Sequence, residues 1–317
     1  GPRQVGKTTL VKQLQTQYPD SLYLNCDEPD IRSALTNATS TALKSFLGKA
    51  PLVFLDEAQR VQNIGLTLKP LVDTFPQAQI VATGSSSFDL SNKIAEPLTG
   101  RARVFRLYPF SLQELAAASS TREVRRTLEQ RMILGSYPEI INLGAIEAPP
   151  ALQHLAASYL FKDALYYQDI KHPEALERLL QALALQVGSE VSYNEVAGTV
   201  GIDKKTVERY VHLLEAAFVI FRLPPLARNM RNELTKMRKI YFYDLGIRNA
   251  LINNFNALSL RQDIGALWEN FCISERVKAN HNHWREVNAY FWRTKEGKEI
   301  DYVEEAAGVF EGFEFKW

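Results

Sequence analysis

A mixed α/β fold, with a parallel sheet first and two smaller units after it, is what this sequence predicts. Three observations carry that expectation. Residues Gly1 to Thr8 fit the spacing G-x-x-x-x-G-K-[ST], which joins a strand to a helix. A continuous apolar run, Leu52-Val53-Phe54-Leu55, ends in the acidic pair Asp56-Glu57, as a strand buried on both faces of a parallel sheet does. Beyond residue 119 the pattern changes to short helices, a hairpin and aromatic strands.

The chain has 317 residues, room for about two or three domains of ~150 residues. With 46% hydrophobic and 23% charged residues it has the composition of a soluble globular protein. Its 37 Lys and Arg against 36 Asp and Glu leave a net charge of +1, which excludes a tail-driven polyanion binder. Any nucleic-acid surface must come from local clustering. The longest apolar runs, such as Ala216 to Phe221, fall far short of the ~18 residues of a membrane span, so no membrane partner is expected. Cys26 and Cys272 make neither a disulfide framework nor a zinc cluster, which fits a reducing, cytoplasmic location. The first residue is Gly and the last four, Glu314 to Trp317, look cut off, so both natural termini are expected outside the sequence.

In the opening loop, Gly1 and Gly6 let the backbone curl so that the N–H groups of Pro2-Arg3-Gln4-Val5-Gly6-Lys7-Thr8-Thr9, proline excepted, face a polyphosphate. A following helix, Thr8 to Tyr18, adds the positive end of its dipole. Lys7 is placed to reach the outer phosphates and the Thr8 hydroxyl to ligate Mg²⁺. At the end of the second strand Asp56 would hold the ion and Glu57 would act as general base on the attacking water. The strand Gln79 to Ala82 leads into Thr83-Gly84-Ser85, where Thr83 or Ser85 is placed to sense the terminal phosphate, a structural turn being the alternative. Arg101, before an expected strand Val104 to Leu107, is a candidate for stabilising transition-state charge in cis or in trans, or a surface residue. A role in trans would require a homo-oligomer.

Gly1-Pro2-Arg3-Gln4-Val5-Gly6-Lys7-Thr8-Thr9, Leu55-Asp56-Glu57-Ala58-Gln59, Thr83 to Ser87 and Leu98 to Ser111 together resemble the prokaryotic and archaeal ATPases of the AAA superfamily that carry a C-terminal domain of unknown function. Gly135-Ser136-Tyr137-Pro138-Glu139, Lys239 to Gly246 and Trp292-Arg293-Thr294 extend the resemblance along the whole chain. It implies an AAA-type P-loop NTPase core that binds ATP with Mg²⁺, a winged-helix middle, and an end similar to restriction-endonuclease folds.

The later segments can also be read from their residues. Residues 119 to 168 show a helical pattern broken by prolines at 138, 149 and 150, suited to a lid or connector. A short helix capped by Ser192 and a second, Lys204 to Ala217, capped by Asp203, form a helix-turn-helix layout. Val207, Val211, Leu214 and Phe218 share one stripe of the second helix, and Lys204, Lys205, Arg209 and His212 lie off it. A hairpin with strands near Phe218 to Leu223 and Lys239 to Tyr243 carries Arg228, Arg231, Lys236 and Arg238 in its connection, a wing with a local positive field for double-stranded DNA. A docking face for a protein partner is the alternative.

In the last segment Asp301 precedes Glu314-Phe315-Lys316 by a strand end, a turn at 306 to 308 and a returning strand. This is the D…E-x-K pattern of metal-dependent phosphodiesterases, in which the carboxylates bind Mg²⁺ and the lysine orients or deprotonates water. Glu269, on the preceding helix, would add to it. An ATP-regulated nuclease is therefore one reading, and a nuclease-derived fold that only binds is the other. His281-Asn282-His283 reads as a polar loop, Trp268, Trp284, Trp292 and Trp317 as C-terminal core, Cys26 as a packing residue, and Asp27 and Glu28 as support for the nucleotide site. The expected organisation is an ATPase domain over 1–118, a helical lid or connector over 119–170, a winged-helix domain over 171–250 and a truncated restriction-endonuclease-like domain over 251–317.

Overall fold

Three short apolar runs line up in parallel in the first unit of the chain. In the computed structural model, which describes residues 1–84, 98, 100–158, 170, 172–226, 238–294 and 296–317, the chain divides into Gly1–Leu107 and Tyr108–Trp317. The first unit runs α1 (Lys7–Gln17), β1 (Leu22–Asn25), α2 (Pro29–Leu35), α3 (Ser40–Leu47), β2 (Leu52–Asp56), α4 (Ile64–Thr74) and β3 (Gln79–Ala82). The strand order is β1-β2-β3, with Asn25 opposite Asp56 and Leu55 opposite Ala82. Central β2 is apolar on both faces because both are covered: Val53, Phe54 and Leu55 are at most 1% exposed. Leu24, Leu35, Leu43, Ile64, Leu68 and Leu71 complete the core around it. Parallel strands put all their carboxyl ends on one edge, which delivers Asp56 and Thr83 side by side.

The second unit begins with α5 (Leu112–Ala118), α6 (Thr121–Leu134), α7 (Pro138–Ile141) and α8 (Ala148–Ser158). Ser111 and Glu114 form a reciprocal capping box on α5, and the Glu275 carboxylate accepts the Leu112 N–H at 2.7 Å. The prolines divide this stretch into short helices, each proline standing in the first turn of a new one. Pro138 stands at the first position of α7, and Pro149 and Pro150 lie in the first turn of α8, where an N–H has no partner to lose.

Next come α9 (Pro173–Leu185), β4 (Glu190–Val191), α10 (Tyr193–Val200), α11 (Lys204–Ala216), β5 (Ile220–Leu223) and β6 (Arg238–Phe242). Strands β4, β6 and β5 make an antiparallel sheet in that order. The N-caps on Ser192 and Asp203 accept from the N–H groups of Glu195 and Thr206. The chain closes with α12 (Leu245–Leu251), α13 (Ile264–Asn282), and an antiparallel sheet of β7 (Asn288–Arg293), β8 (Glu299–Ala306) and β9 (Val309–Phe313). Ala307 and Gly308, both at positive φ, form the turn between β8 and β9. Backbone bonds between Leu226 and Phe291 (2.7 Å) and between Phe291 and Pro224 (3.0 Å) pair β7 with the chain leaving β5.

Asp244 fastens this unit. Its buried carboxylate accepts the N–H groups of Ser136 (2.7 Å), Gly246 (2.9 Å) and Ile247 (3.2 Å). Gly135 sits at φ 72° with no room for a side chain, since a Cβ there would lie 2.0 Å from Asp244 Oδ1. Around α12, the guanidinium groups of Arg248 and Arg261 both close on Asp263, at 2.7 and 2.9 Å.

Several sequence expectations are corrected. Residues 104 to 107 carry no strand pairing. Strand β9 ends at Phe313, so Glu314 and Lys316 lie beyond it. His281 and Asn282 belong to the end of α13, whose pattern extends past the predicted polar loop. Trp284 and Trp317 are 64% and 55% exposed and are not core.

Burial by itself would raise the Asp263 carboxyl pKa, but the hydrogen bonds from Arg261 and Arg248 outweigh it and hold the group at about 2. Its contribution is therefore present above the ordinary carboxylate range and lost as the pH falls from about 4 through about 2. Asp263→Asn is expected to remove about 2 kcal/mol at neutral pH and to flatten that acid limb, as measured by urea unfolding across pH.

Candidate functional site

The opening loop turns tightly before α1. Gln4 and Gly6 adopt left-handed conformations, at φ 55° and 91°, and Pro2 and Val5 are buried beneath the loop. Such a path leaves the first-turn N–H groups of α1 without helical partners and aimed outward. The Lys7 ammonium folds over the loop and donates to the carbonyls of Gly1 (3.1 Å) and Pro2.

Asp56 meets this loop from β2. Its side chain is 2% exposed and fully engaged. Oδ1 accepts the Thr83 hydroxyl and Oδ2 accepts the Tyr23 hydroxyl at 2.8 Å, while the Thr8 hydroxyl and the Glu57 N–H lie close enough to favour its charged form. Burial pushes the carboxyl pKa up, yet these donors together hold it below the usual carboxylate range, so the group stays ionised. Tyr23 in turn keeps its proton, its pKa raised by burial and by the Asp56 carboxylate. The nearness of Thr8 to Asp56 brings the loop to the acidic strand end, the juxtaposition expected of an ion-holding pair.

Glu57 leaves the strand in a left-handed conformation, φ 53°, which turns its side chain away from the direction of β2. Its N–H donates to Thr83 Oγ1 at 3.2 Å, and its carboxylate accepts Gln59 Nε2. Thr83 thus donates to one acidic residue and accepts from the next. Of the two residues offered for this position, Thr83 is the one the described structure contains; Ser85 lies outside the described residues. Tyr23 and Gln59 were missed. Only the Leu-Asp-Glu-Ala-Gln run hinted at Gln59, and nothing in the Tyr23 neighbourhood marked it.

Other candidates fall elsewhere. Arg101 pairs with Asp73 at 3.0 Å, near the end of α4 that lies away from the carboxyl edge of β2. That position leaves a role in cis without support. Asp27 pairs with Arg60 at 3.1 Å, not with the Asp56 group, and Cys26 is a buried thiol pushed up to about 12 by its burial.

In the second unit Lys204, Lys205 and Arg209 are exposed on α11, with Glu208 within 3.7 Å of Lys204. Arg238 lies on β6 over the Tyr193 ring, 5.4 Å from its centroid, while Arg228, Arg231 and Lys236 lie outside the described residues. Asp301 Oδ2 accepts the Phe315 N–H at 2.8 Å. Glu314 and Lys316 bond to each other at 2.9 Å, both exposed. Glu269 faces inward to Lys239 (2.9 Å) and Tyr241. Among the described residues, no three His, Cys, Asp or Glu side chains are arranged to hold a metal, and no helix is long and apolar enough to cross a membrane.

Comparison with known proteins fits this geometry. An AAA domain family matches residues 1–116, and two domains of unknown function match 125–258 and 264–317. An uncharacterized protein of Mycobacterium tuberculosis is 26% identical over 320 residues, covering the whole of this chain and 69% of that protein. An uncharacterized protein of Haemophilus influenzae is 25% identical over 81% of this chain and 69% of its own length. One from Methanocaldococcus jannaschii is 24% identical over 84% of this chain and 66% of its own. Among solved structures, the replication initiator DnaA bound to AMPPCP and single-stranded DNA aligns with 68% of this chain and 80% of its own at 16% identity, with a TM-score of 0.33. That overlap is too partial to carry an argument. Residues 1–116 thus match an AAA domain, and their parallel three-stranded sheet is consistent with a P-loop NTPase fold.

Thr83→Val keeps the shape and removes the hydroxyl that serves both acids. It is expected to destabilise the first unit by ~1–3 kcal/mol, measured by denaturant unfolding, because a buried carboxylate loses a donor.

Proposed function

We propose that this chain is an Mg²⁺-dependent ATPase in which nucleotide state sets the conformation or exposure of the second unit. The observation that carries the reading is the Asp56 carboxylate, bonded by the Thr83 hydroxyl and within electrostatic reach of the Thr8 hydroxyl at the start of the α1 helix. The loop Gly1 to Thr9 cradles the phosphates through its N–H groups, and Lys7 exchanges the carbonyls of Gly1 and Pro2 for the outer phosphates. The donor set fits a hard cation: Thr8 and Asp56 would hold Mg²⁺, which supplies charge neutralisation at the phosphates when bound. Glu57 takes the proton of the attacking water, with Gln59 and the Thr83 link setting its direction.

For the second unit we infer a winged-helix module, from α10 and α11 against the β4-β6-β5 sheet, followed by a restriction-endonuclease-like body of α13 and the β7-β8-β9 sheet. Double-stranded DNA is the partner this reading favours, met by Lys204, Lys205 and Arg209 on α11 and by Arg238, with the remaining wing residues Arg228, Arg231 and Lys236. The composition and the absence of a spanning helix among the described residues accord with a cytoplasmic setting.

Turnover separates these parts. Glu57→Gln is expected to retain ATP binding while slowing hydrolysis by about 10²-fold or more, and Lys7→Ala to lose binding, both measured by calorimetry beside a phosphate-release assay. Equal turnover in parent and Glu57→Gln would reject the assignment. Duplex DNA is expected to change the turnover of the parent, with binding that weakens steeply between low and physiological salt and falls further in Lys205→Glu/Arg209→Glu. DNA-independent turnover with no salt-sensitive duplex binding would instead make the second unit a protein-docking module.

A further inference from the structure

The structure assigns to Lys239 the place of a cation: its ammonium fills the acidic pocket of the last segment, where a divalent ion would be sought, so this pocket is a built-in ion pair and not a metal centre. The inference does not depend on nucleotide use.

Lys239 lies on β6, and β-pairing points its side chain into the interior, where it is 3% exposed. It bonds Glu269 of α13 at 2.9 Å and Glu299 of β8. Tyr241, two residues along the same face, donates its hydroxyl to the same Glu269 oxygen. The Phe291 ring lies 5.6 Å from the ammonium on β7. Arg293 then spans Glu299 (3.7 Å) and Glu190 (3.1 Å), so a second internal cation neutralises the outer side of the pocket.

The donor set does not fit a divalent ion. Mg²⁺ or Mn²⁺ needs carboxylate oxygens free to close in at about 2.0–2.2 Å, with water completing an octahedron. Glu269 already carries two hydrogen-bond donors, one of them charged. A +1 charge that is 3% exposed and held between the two carboxylates would stand directly against the incoming ion. Asp301, whose Oδ2 accepts the Phe315 N–H, adds negative charge near Glu269 that the Lys239 ammonium offsets. The E-x-K pair is likewise spent on itself, since Lys316 bonds Glu314 at 2.9 Å. What the lysine does instead is join three elements, β6, α13 and β8, that come from distant parts of the chain. A lone buried charge is destabilising, and one shared by two carboxylates and capped by a tyrosine is compensated.

The test uses the full chain, free of nucleotide and carrying Asp56→Asn so that the first unit takes up no ion. Titration with Mn²⁺ in a calorimeter is expected to show no saturable uptake at millimolar metal, and plasmid DNA incubated with the same protein and Mn²⁺ is expected to stay intact. Lys239→Gln is expected to gain one saturable Mn²⁺ site, lost again in Lys239→Gln/Glu299→Gln. Uptake by the chain that retains Lys239, abolished by Glu269→Gln, would overturn the inference. So would plasmid cleavage abolished by Asp301→Ala, or a folded Lys239→Gln protein, checked by circular dichroism, that takes up no metal. Should Lys239→Gln fail to fold, the first titration and the plasmid assay decide between the same two outcomes.

Discussion

A single ionised carboxylate, deep in the first unit, is the constraint on which the proposed chemistry depends. Asp56 must stay charged to hold a cation, and burial at the end of a strand opposes that charge. The fold resolves the conflict with groups from three separate elements: hydrogen bonds from Tyr23 on β1 and Thr83 after β3, and the nearby Thr8 hydroxyl of α1. Because the strands are parallel, all three elements present their carboxyl ends or their helix start on the same edge. The sheet order therefore decides the electrostatics, and the electrostatics decide what the loop can hold.

The second unit answers the same problem with different means. Asp244 is satisfied by backbone N–H groups, Asp263 by two arginines, and Glu304 by Arg276 and Asn280. The Asp263 cluster is local, the Glu304 cluster joins α13 to β8, and the Asp244 cluster reaches furthest along the chain. Asp244 links residues 108 positions apart, which is why the Gly135-Ser136-Tyr137-Pro138 and Tyr243-Asp244-Leu245-Gly246 stretches carry such restricted residue types: a glycine at 135 is dictated by the carboxylate pressed against it. Both stretches carry the family resemblance, and both are fastening points.

How legible this was in the sequence varied with the range of the interaction. The loop and the β2 run could be read because their chemistry is local: a helix start, a lysine and two acids within a few residues of a strand end. The caps on Ser192 and Asp203 and the turn at 307 and 308 were legible for the same reason. Tyr23 and Lys239 were not, since each acquires its meaning from a carboxylate on another element, and an isolated tyrosine or strand lysine has no pattern. The failures also had physical causes. An E-x-K spacing on alternating residues looks like a strand face, but β9 stops at Phe313 and the two charges satisfy each other in solvent.

The chain leaving β5 binds β7 through main-chain atoms alone, at Pro224, Leu226 and Phe291. This seam links two small antiparallel sheets by main-chain bonds, with a proline tolerated where it is asked only to accept. The main-chain bonds make no demand on residue type, so what restricts the sequence along this seam is the burial of Ile220, Leu223 and Phe291 beside it.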